Sequence, residues 1–349
     1  MDFITQLFAF AGGLEVPALN FVGQIVKVLY EWLGSYGWAV VLFTVFLKLI
    51  TLPLDVWQRY MMKKNSIQMQ KMQPMLEKID TVYANDKRKA NEEKLKLYKK
   101  QGYSTLASCL PTIVTMAVFI FMYSGLTSYT AYANVKDYNA LENTYQTQYE
   151  YAIGQGKSNE EAISFAKEKT GEYYESNKES FLWIKNIWRP DNWNEPMPTY
   201  DEFTRGSMGV QGVGTDLVNE NIYNNIRDGV LAQAKGYKIF NGNWNGLLIL
   251  PILSIALSFF STKITGNASG MKDKKSAETD PMASQQKMMM FMMPIMMGFF
   301  SLMYSAAFAL YLVCNSTLTI LSSLALNPIV ERAVKKKLAE TDTAPSYRR

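Results

Sequence analysis

The stretch Tyr36 to Trp57, YGWAVVLFTVFLKLITLPLDVW, is long and apolar enough to cross a bilayer as a helix, yet it carries Lys48 near its middle. At 1.5 Å of rise per residue, Lys48 lies about 15 Å along the axis from Trp38 and about 14 Å from Trp57. A lysine at the centre of a spanning helix costs about 2.5 to 3.5 kcal/mol on the insertion scale. Something must offset that cost. Thr44, Lys48, Thr51 and Asp55 recur at spacings of four, three and four, so they share one face of the helix. A polar stripe on an apolar helix faces protein or a water-filled cavity, because lipid offers no hydrogen-bond partners. The competing reading is that Pro53 loosens the inner end of the helix and Lys48 snorkels to the headgroups.

Working outward, windows of about 19 residues pick out further apolar segments at Leu106–Tyr129 and Trp244–Thr262, and Met288–Val330 contains no charge. An uninterrupted helix over that last region would extend about 65 Å, twice a hydrocarbon core of about 30 Å. It must be two helices joined by a turn near Ser305 to Phe308. The expectation is an all-α polytopic membrane protein with five spans, at 36–57, 105–129, 246–262, 288–305 and 307–330. Mean hydropathy near zero only averages these spans with a charged remainder.

The 349 residues contain no histidine, and both cysteines, Cys109 and Cys314, fall in expected spans. Histidine-based metal sites and triads are excluded, and a disulfide framework is not expected. No phosphate-binding glycine motif occurs, and the sequence implies no cofactor and no metal. The start, MDFITQLFAFAGG, lacks the basic flank of a secretory signal and reads as uncleaved. Charge sets the orientation. Residues 58–104 hold twelve Lys or Arg against five Asp or Glu, 263–287 five against three, and 331–349 six against three. Residues 130–245 hold eleven against sixteen. The positive-inside rule therefore places the N-terminus outside and the C-terminus in the cytoplasm.

Between the spans, Phe21, Val22, Ile25, Val28, Leu29, Trp32 and Leu33 recur at helical spacing, giving segment 1–35 an amphipathic interfacial helix. Segment 58–104 reads as a charged cytoplasmic helical hairpin, lined by Met69, Met72, Leu76, Ile79 and Tyr83 and broken at Asn85-Asp86. Its lysines suit ribosomes, targeting factors or anionic lipid, or serve only to hold the loop inside. Segment 130–245 is too long for a connection and reads as a small, mostly helical extracytoplasmic domain. The loop 263–287 and the basic tail 331–349 read as mobile.

The remaining spans repeat the polar stripe: Ser108, Thr112 and Thr115 in the second, Ser254, Ser258 and Ser261 in the third, Asn315, Thr319 and Ser322 in the fifth. With Thr44, Lys48 and Thr51 these would line a hydrophilic groove open to the cytoplasm and closed partway across. Otherwise the hydroxyls bond their own backbone or hold neighbouring helices together. The fourth span opens KMMMFMMPIMMGFF, with eight of the chain's twenty methionines between Met288 and Met303. Unbranched thioethers repack around varied apolar shapes, although they also serve as plain apolar filler.

The chain closely resembles the YidC family of membrane protein insertases, relatives of the Oxa and Albino translocases. The stretches that carry it are LFTVFLKLITLPL around Lys48, QKMQPML at Gln70–Leu76, LYKKQGYSTLASCLPTIVTMAVFIFMY at Leu97–Tyr123, Met293-Pro294, and ALYLVCNSTLTI at Ala309–Ile320. The resemblance implies a five-helix core around a cytoplasm-open groove in the bacterial cell membrane, without covalent catalysis. Its substrates would be nascent membrane proteins. A charge at the position of Lys48, usually arginine, would receive their polar segments, while Met116, Phe119, Met292, Met293 and Met296 would form an apolar slide toward lipid. It further implies membrane lipids, ribosome or targeting factors and the Sec translocon as partners, with no specific nucleic-acid sequence. This chain departs at Lys48, at Ala117 where proline is common, at Ser104-Thr105 where Asn-Pro is common, and at Ala306-Ala307-Phe308 where Pro and Gly are common. Segment 130–245 has no counterpart in short relatives. Rival readings are a transporter or channel using Lys48 as an anion site, and an intramembrane enzyme with a Ser-Lys pair.

Overall fold

The structure is a computed structural model. It describes residues 13–101, 103, 105–239, 242–268 and 281–343. Residues 1–12, on which the expectation of an uncleaved start rests, the middle of the 263–287 loop and the last six residues lie outside these. The described residues are mostly helical: α1 Phe21–Leu33, α2 Tyr36–Val82, α3 Lys87–Lys100, α4 Thr105–Gly154, α5 Asn159–Asn177, α6 Tyr200–Arg205, α7 Glu220–Gln233, α8 Ile249–Ala268, α9 Pro281–Met303 and α10 Ala306–Thr343. A small antiparallel pair, β1 Tyr237–Ile239 and β2 Gly242–Trp244, is registered Tyr237 to Trp244.

α2 and the Ala306–Lys337 part of α10 are long and apolar enough to cross a membrane, and Ile249–Thr265 and Pro294–Met303 are shorter apolar helices. Their surfaces are apolar outward: Leu49, Ile50, Leu54, Ile252, Phe260, Ile295, Leu321 and Leu324 are all exposed in the isolated chain. Large aliphatic faces of this extent need lipid around them. α2 runs unbroken for 47 residues through Pro53 and Pro74, about 70 Å. One helix therefore carries the first apolar segment directly into the charged hairpin. The tail expected to be mobile is instead helical to Thr343. Val334 is buried there, and Lys335 pairs with Glu331 one turn earlier.

The chain divides into two compact units, described separately. The first comprises the described parts of Met1–Thr44, Ile120–Ser254 and Met297–Val313. In it the amphipathic α1 is capped by Asn20, whose side chain accepts from Gly23 N at 2.8 Å and donates to Ser124 O at 3.0 Å. α1 lies close against α4, because Gly125 has no side chain: a Cβ there would fall 2.2 Å from Val22 Cγ1. The inserted domain is built on the far part of α4, where Tyr138, Leu141, Tyr145, Tyr149 and Ala152 line one face at helical spacing. They pack with Ala162, Ala166 and Tyr174 of α5 and Ile222, Tyr223, Ile226 and Val230 of α7. α5 starts on a Ser158–Glu161 capping box.

A loop between α5 and α6 ties this domain to the ends of three apolar helices. Asp191, fully buried, accepts from Leu247 N at 2.7 Å, Leu248 N at 3.1 Å and Leu250 N at 2.7 Å, so it caps the start of α8. Asn192 Nδ2 donates to Leu302 O at the end of α9 at 2.7 Å. Ala306 N and Ala307 N at the start of α10 donate to Arg189 O and Ile187 O. Asn245, also fully buried, holds the loop by donating to Asn186 O, Arg189 O and Pro190 O.

The second unit comprises the described parts of Val45–Phe119, Ile255–Met296 and Cys314–Arg349. α3 folds back on the far part of α2 through Met72, Leu76 and Tyr98, with Met69, Leu97 and Tyr103 around them. The turn is set by Asp86, which accepts from Lys89 N at 3.1 Å, and the buried Lys94 pairs with Asp80 at 2.7 Å. The polar strip lies in this same unit, on the near part of α2.

Candidate functional site

Lys48 is not a lone charge. Its Nζ lies 2.6 Å from Asp55 Oδ2, the side chains being 14% and 19% exposed. Two turns of α2 separate these residues, so Lys48 folds along the helix toward Asp55. Lys48 Nζ also donates to Thr319 Oγ1 of α10 at 3.1 Å, and that hydroxyl in turn donates to Asn315 O at 2.7 Å. Thr51 Oγ1 donates to Lys48 O at 3.3 Å. Of the expected groove side chains Lys48 and Thr319 are thus brought together, with Asp55 added, while the hydroxyls of Thr51 and Thr319 donate to carbonyls of their own helices.

One turn past Asp55 stands Arg59, which sequence reasoning passed over. Its Nη1 donates to Ser323 Oγ and to Asn327 Oδ1, each at 2.8 Å, and Nη2 to Ser322 Oγ at 3.3 Å. The planar guanidinium thereby bridges α2 to two turns of α10. A further turn on, Lys63 pairs with Glu331 at 3.3 Å. A small cleft lined by Arg59, Lys63, Thr265, Asn327 and Glu331 opens at this end.

The result is a polar strip on two apolar helices, with Lys48, Asp55, Arg59 and Lys63 on one side and Thr319, Ser322, Ser323, Asn327 and Glu331 on the other. Since Lys48 and Asp55 offset each other, as do Lys63 and Glu331, the strip's surplus positive charge comes from Arg59. The continuing spacing of 48, 55, 59 and 63 was the available signal. It runs past Trp57, the expected end of the first span.

Several expected groove hydroxyls bond their own helix. Thr44 Oγ1 donates to Val40 O at 2.7 Å and Ser254 Oγ to Pro251 O at 2.8 Å, both residues belonging to the first unit. Ser258 Oγ is 3.2 Å from Ser316 Oγ, linking α8 to α10. The side chains of Ser108, Thr112, Thr115 and Met293 lie outside the described residues. Of the expected apolar slide, Met116, Met292 and Met296 are exposed and Phe119 is half-buried.

An apolar helix pair with a half-buried ionic strip, joined to a charged helical hairpin, is the setting in which the comparisons fall. The family model described as "60Kd inner membrane protein" matches residues 28–333. The chain belongs to this family, that of YidC, Oxa and Albino proteins. Among 60Kd inner membrane protein relatives, "Membrane protein insertase YidC" of Leptospira interrogans serogroup Icterohaemorrhagiae serovar Lai (strain 56601) is 24% identical over 331 residues, 94% of this chain and 37% of that protein. "Inner membrane ALBINO3-like protein 1, chloroplastic" of Chlamydomonas reinhardtii is 24% identical over 315 residues, 88% of this chain and 48% of that protein. "Membrane protein insertase YidC" of Caldanaerobacter subterraneus subsp. tengcongensis is 31% identical over 113 residues, 32% of this chain and 53% of that protein. The matched region therefore spans 37% to 53% of the length of these family members.

Proposed function

We propose that this chain is a membrane protein insertase, working by hydration and charge without covalent chemistry. The observation that carries the reading is the Lys48–Asp55–Arg59 strip, set against Thr319, Ser322, Ser323 and Asn327 within otherwise apolar helices. Ion pairs and a forked guanidinium inside such helices are costly unless they serve a polar guest or a wet cavity. The names of the relatives, insertases of the YidC type, point the same way.

In this reading five spans enclose a groove open to the cytoplasm in the bacterial cell membrane, with the N-terminus outside and the C-terminus inside. A short hydrophilic segment of a nascent membrane protein enters the groove, where hydroxyls, Asn327 and the ionic strip replace part of its hydration. Lys48 reaches an acidic group only by exchanging Asp55 for it. The guest's apolar helix leaves along the exposed Met116, Met292 and Met296 and gains about 0.8 kcal/mol per CH2 buried in lipid. Such a gain drives the step without ATP. The basic hairpin at α3 meets the guest, a ribosome or a targeting factor first, and a general secretion channel acts alongside for longer segments.

The test is reconstitution into liposomes with a single-spanning protein bearing an acidic tail. The wild-type chain and Lys48→Arg protect the tail from added protease. Lys48→Ala, at equal folded amount, leaves it digestible. Full protection by the alanine variant overturns the assigned role of Lys48, and no protection by the wild-type chain overturns the insertase reading itself.

A further inference from the structure

The inserted domain carries two tight turns whose tips are apolar. Phe181 and Ile184 exchange backbone hydrogen bonds at 3.1 and 2.9 Å, leaving Leu182 and Trp183 as a two-residue loop. Ser207 and Val210 do the same at 2.9 and 3.1 Å, leaving Met208 and Gly209. Glycine, asparagine and aspartate normally fill such loops, because they tolerate positive φ and solvate well. Leu182 does neither, yet it stands at φ 55° and is 67% exposed. Met208, beside Gly209 at φ 82°, is 56% exposed. At Leu182 a branched aliphatic is held against both backbone preference and water, which points to a non-aqueous neighbour.

The roots of both turns identify that neighbour. Phe181 lies over the start of α2: a Cβ on Gly37 would fall 2.1 Å from its ring, and the Trp38 ring stands edge-on to it at 5.6 Å. Gly209 rests on the end of α9, where an added Cβ would come 2.7 Å from Met303 O and 3.0 Å from Tyr304 Cα. Each tip therefore projects at the level where an apolar helix ends. Within about a turn and a half of those contacts the same helices carry exposed apolar side chains, Trp38 and Leu42 on α2 and Phe299 on α9. Tryptophan at a helix end marks the height of the headgroups.

We propose that Leu182 and Met208 are seated in the headgroup–acyl boundary of the leaflet on the inserted domain's side, so that the domain rests on lipid at two points beside the spans. The occupant is lipid because the exposed tips continue the lipid-facing surface of α2 and α9. The proposal requires a membrane around those helices, but it does not require the insertase reading or any role for Lys48.

The test uses the full chain in liposomes of phosphatidylcholine and phosphatidylglycerol, with Cys109 and Cys314 replaced by serine. A spin label is attached at Leu182→Cys, at Met208→Cys, or at Tyr151→Cys as a reference. Tyr151 is exposed and lies about 33 Å along α4 beyond Tyr129. Labels at 182 and 208 collide more often with oxygen, which concentrates in the bilayer, than with a water-soluble nickel chelate. The label at 151 shows the reverse. Chelate access at 182 and 208 equal to that at 151 overturns the proposal. So does shielding from both reagents, the signature of a second copy or another protein on these tips.

Discussion

Replacing Asp55 by asparagine separates two roles for Lys48, counter-ion of its own helix and receptor for a guest. Over 2.6 Å, at an effective dielectric of about 20, the Lys48–Asp55 attraction is about 6 kcal/mol. Desolvating the two groups takes back several kcal/mol of that. An acidic guest must displace Asp55, and a residual preference of only about 1.4 kcal/mol for the internal partner is a tenfold handicap. Asp55→Asn keeps the shape, removes the competitor and leaves Lys48 its bond to Thr319. Capture of an acidic-tailed test protein, measured by photocrosslinking from the groove in liposomes, should then rise about tenfold, whereas capture of a neutral tail should not. If Lys48 serves only to neutralise Asp55, the variant loses stability and capture falls equally for both tails. That pattern, or equal acidic capture at matched folded protein, refutes exchange of Asp55 for the guest.

Asp191→Ala strands three backbone N–H groups at the start of α8 and the Trp183 indole N–H. Of these bonds only the one to Leu250 N is fully buried, and at about 1 to 3 kcal/mol for a buried group left unmade the loss is at least about 1 kcal/mol, read as protease sensitivity of residues 178–199 in the intact protein. Glu142 lies in the core of the inserted domain, and burial raises its pKa. Its ionised form is therefore penalised in the fold, and stability falls as pH rises through the folded pKa. Glu142→Gln should raise the unfolding temperature of the domain at pH 7, and the difference should disappear below the ordinary carboxylate range of about 4.3.

Much of this architecture is legible because apolar periodicity is local. The Met72–Leu76 face of the hairpin, the Asn85-Asp86 break and the mostly helical character of segment 130–245 follow from local spacing and composition. The 50-residue α4 is not legible in the same way. Beyond Tyr129 its buried face is carried by Tyr138, Tyr145 and Tyr149, which a hydropathy scan counts as polar although each buries a large ring. The capping role of Asp191 is invisible for another reason, since its backbone partners at the start of α8 lie 56 to 59 residues away and no local pattern encodes them.

The polar strip was half legible. Spacing placed Thr44, Lys48, Thr51 and Asp55 on one face, but it does not say whether a hydroxyl turns to a guest or to its own carbonyl, as Thr44 and Ser254 do. Nor does it say that Lys48 reaches down two turns to Asp55. Arg59 continues the same face, but it lies beyond Trp57, where the apolar run ends although the helix does not.

The central claim is that water reaches the Lys48–Thr319 contact from one side of the membrane only. In a chain with Cys109 and Cys314 replaced by serine, Thr51→Cys and Thr319→Cys are treated with a membrane-impermeant thiol reagent applied to either face of oriented vesicles. The account predicts modification from the face bearing the α3 hairpin and none from the face bearing the inserted domain. Labelling from both faces, or from neither, contradicts it.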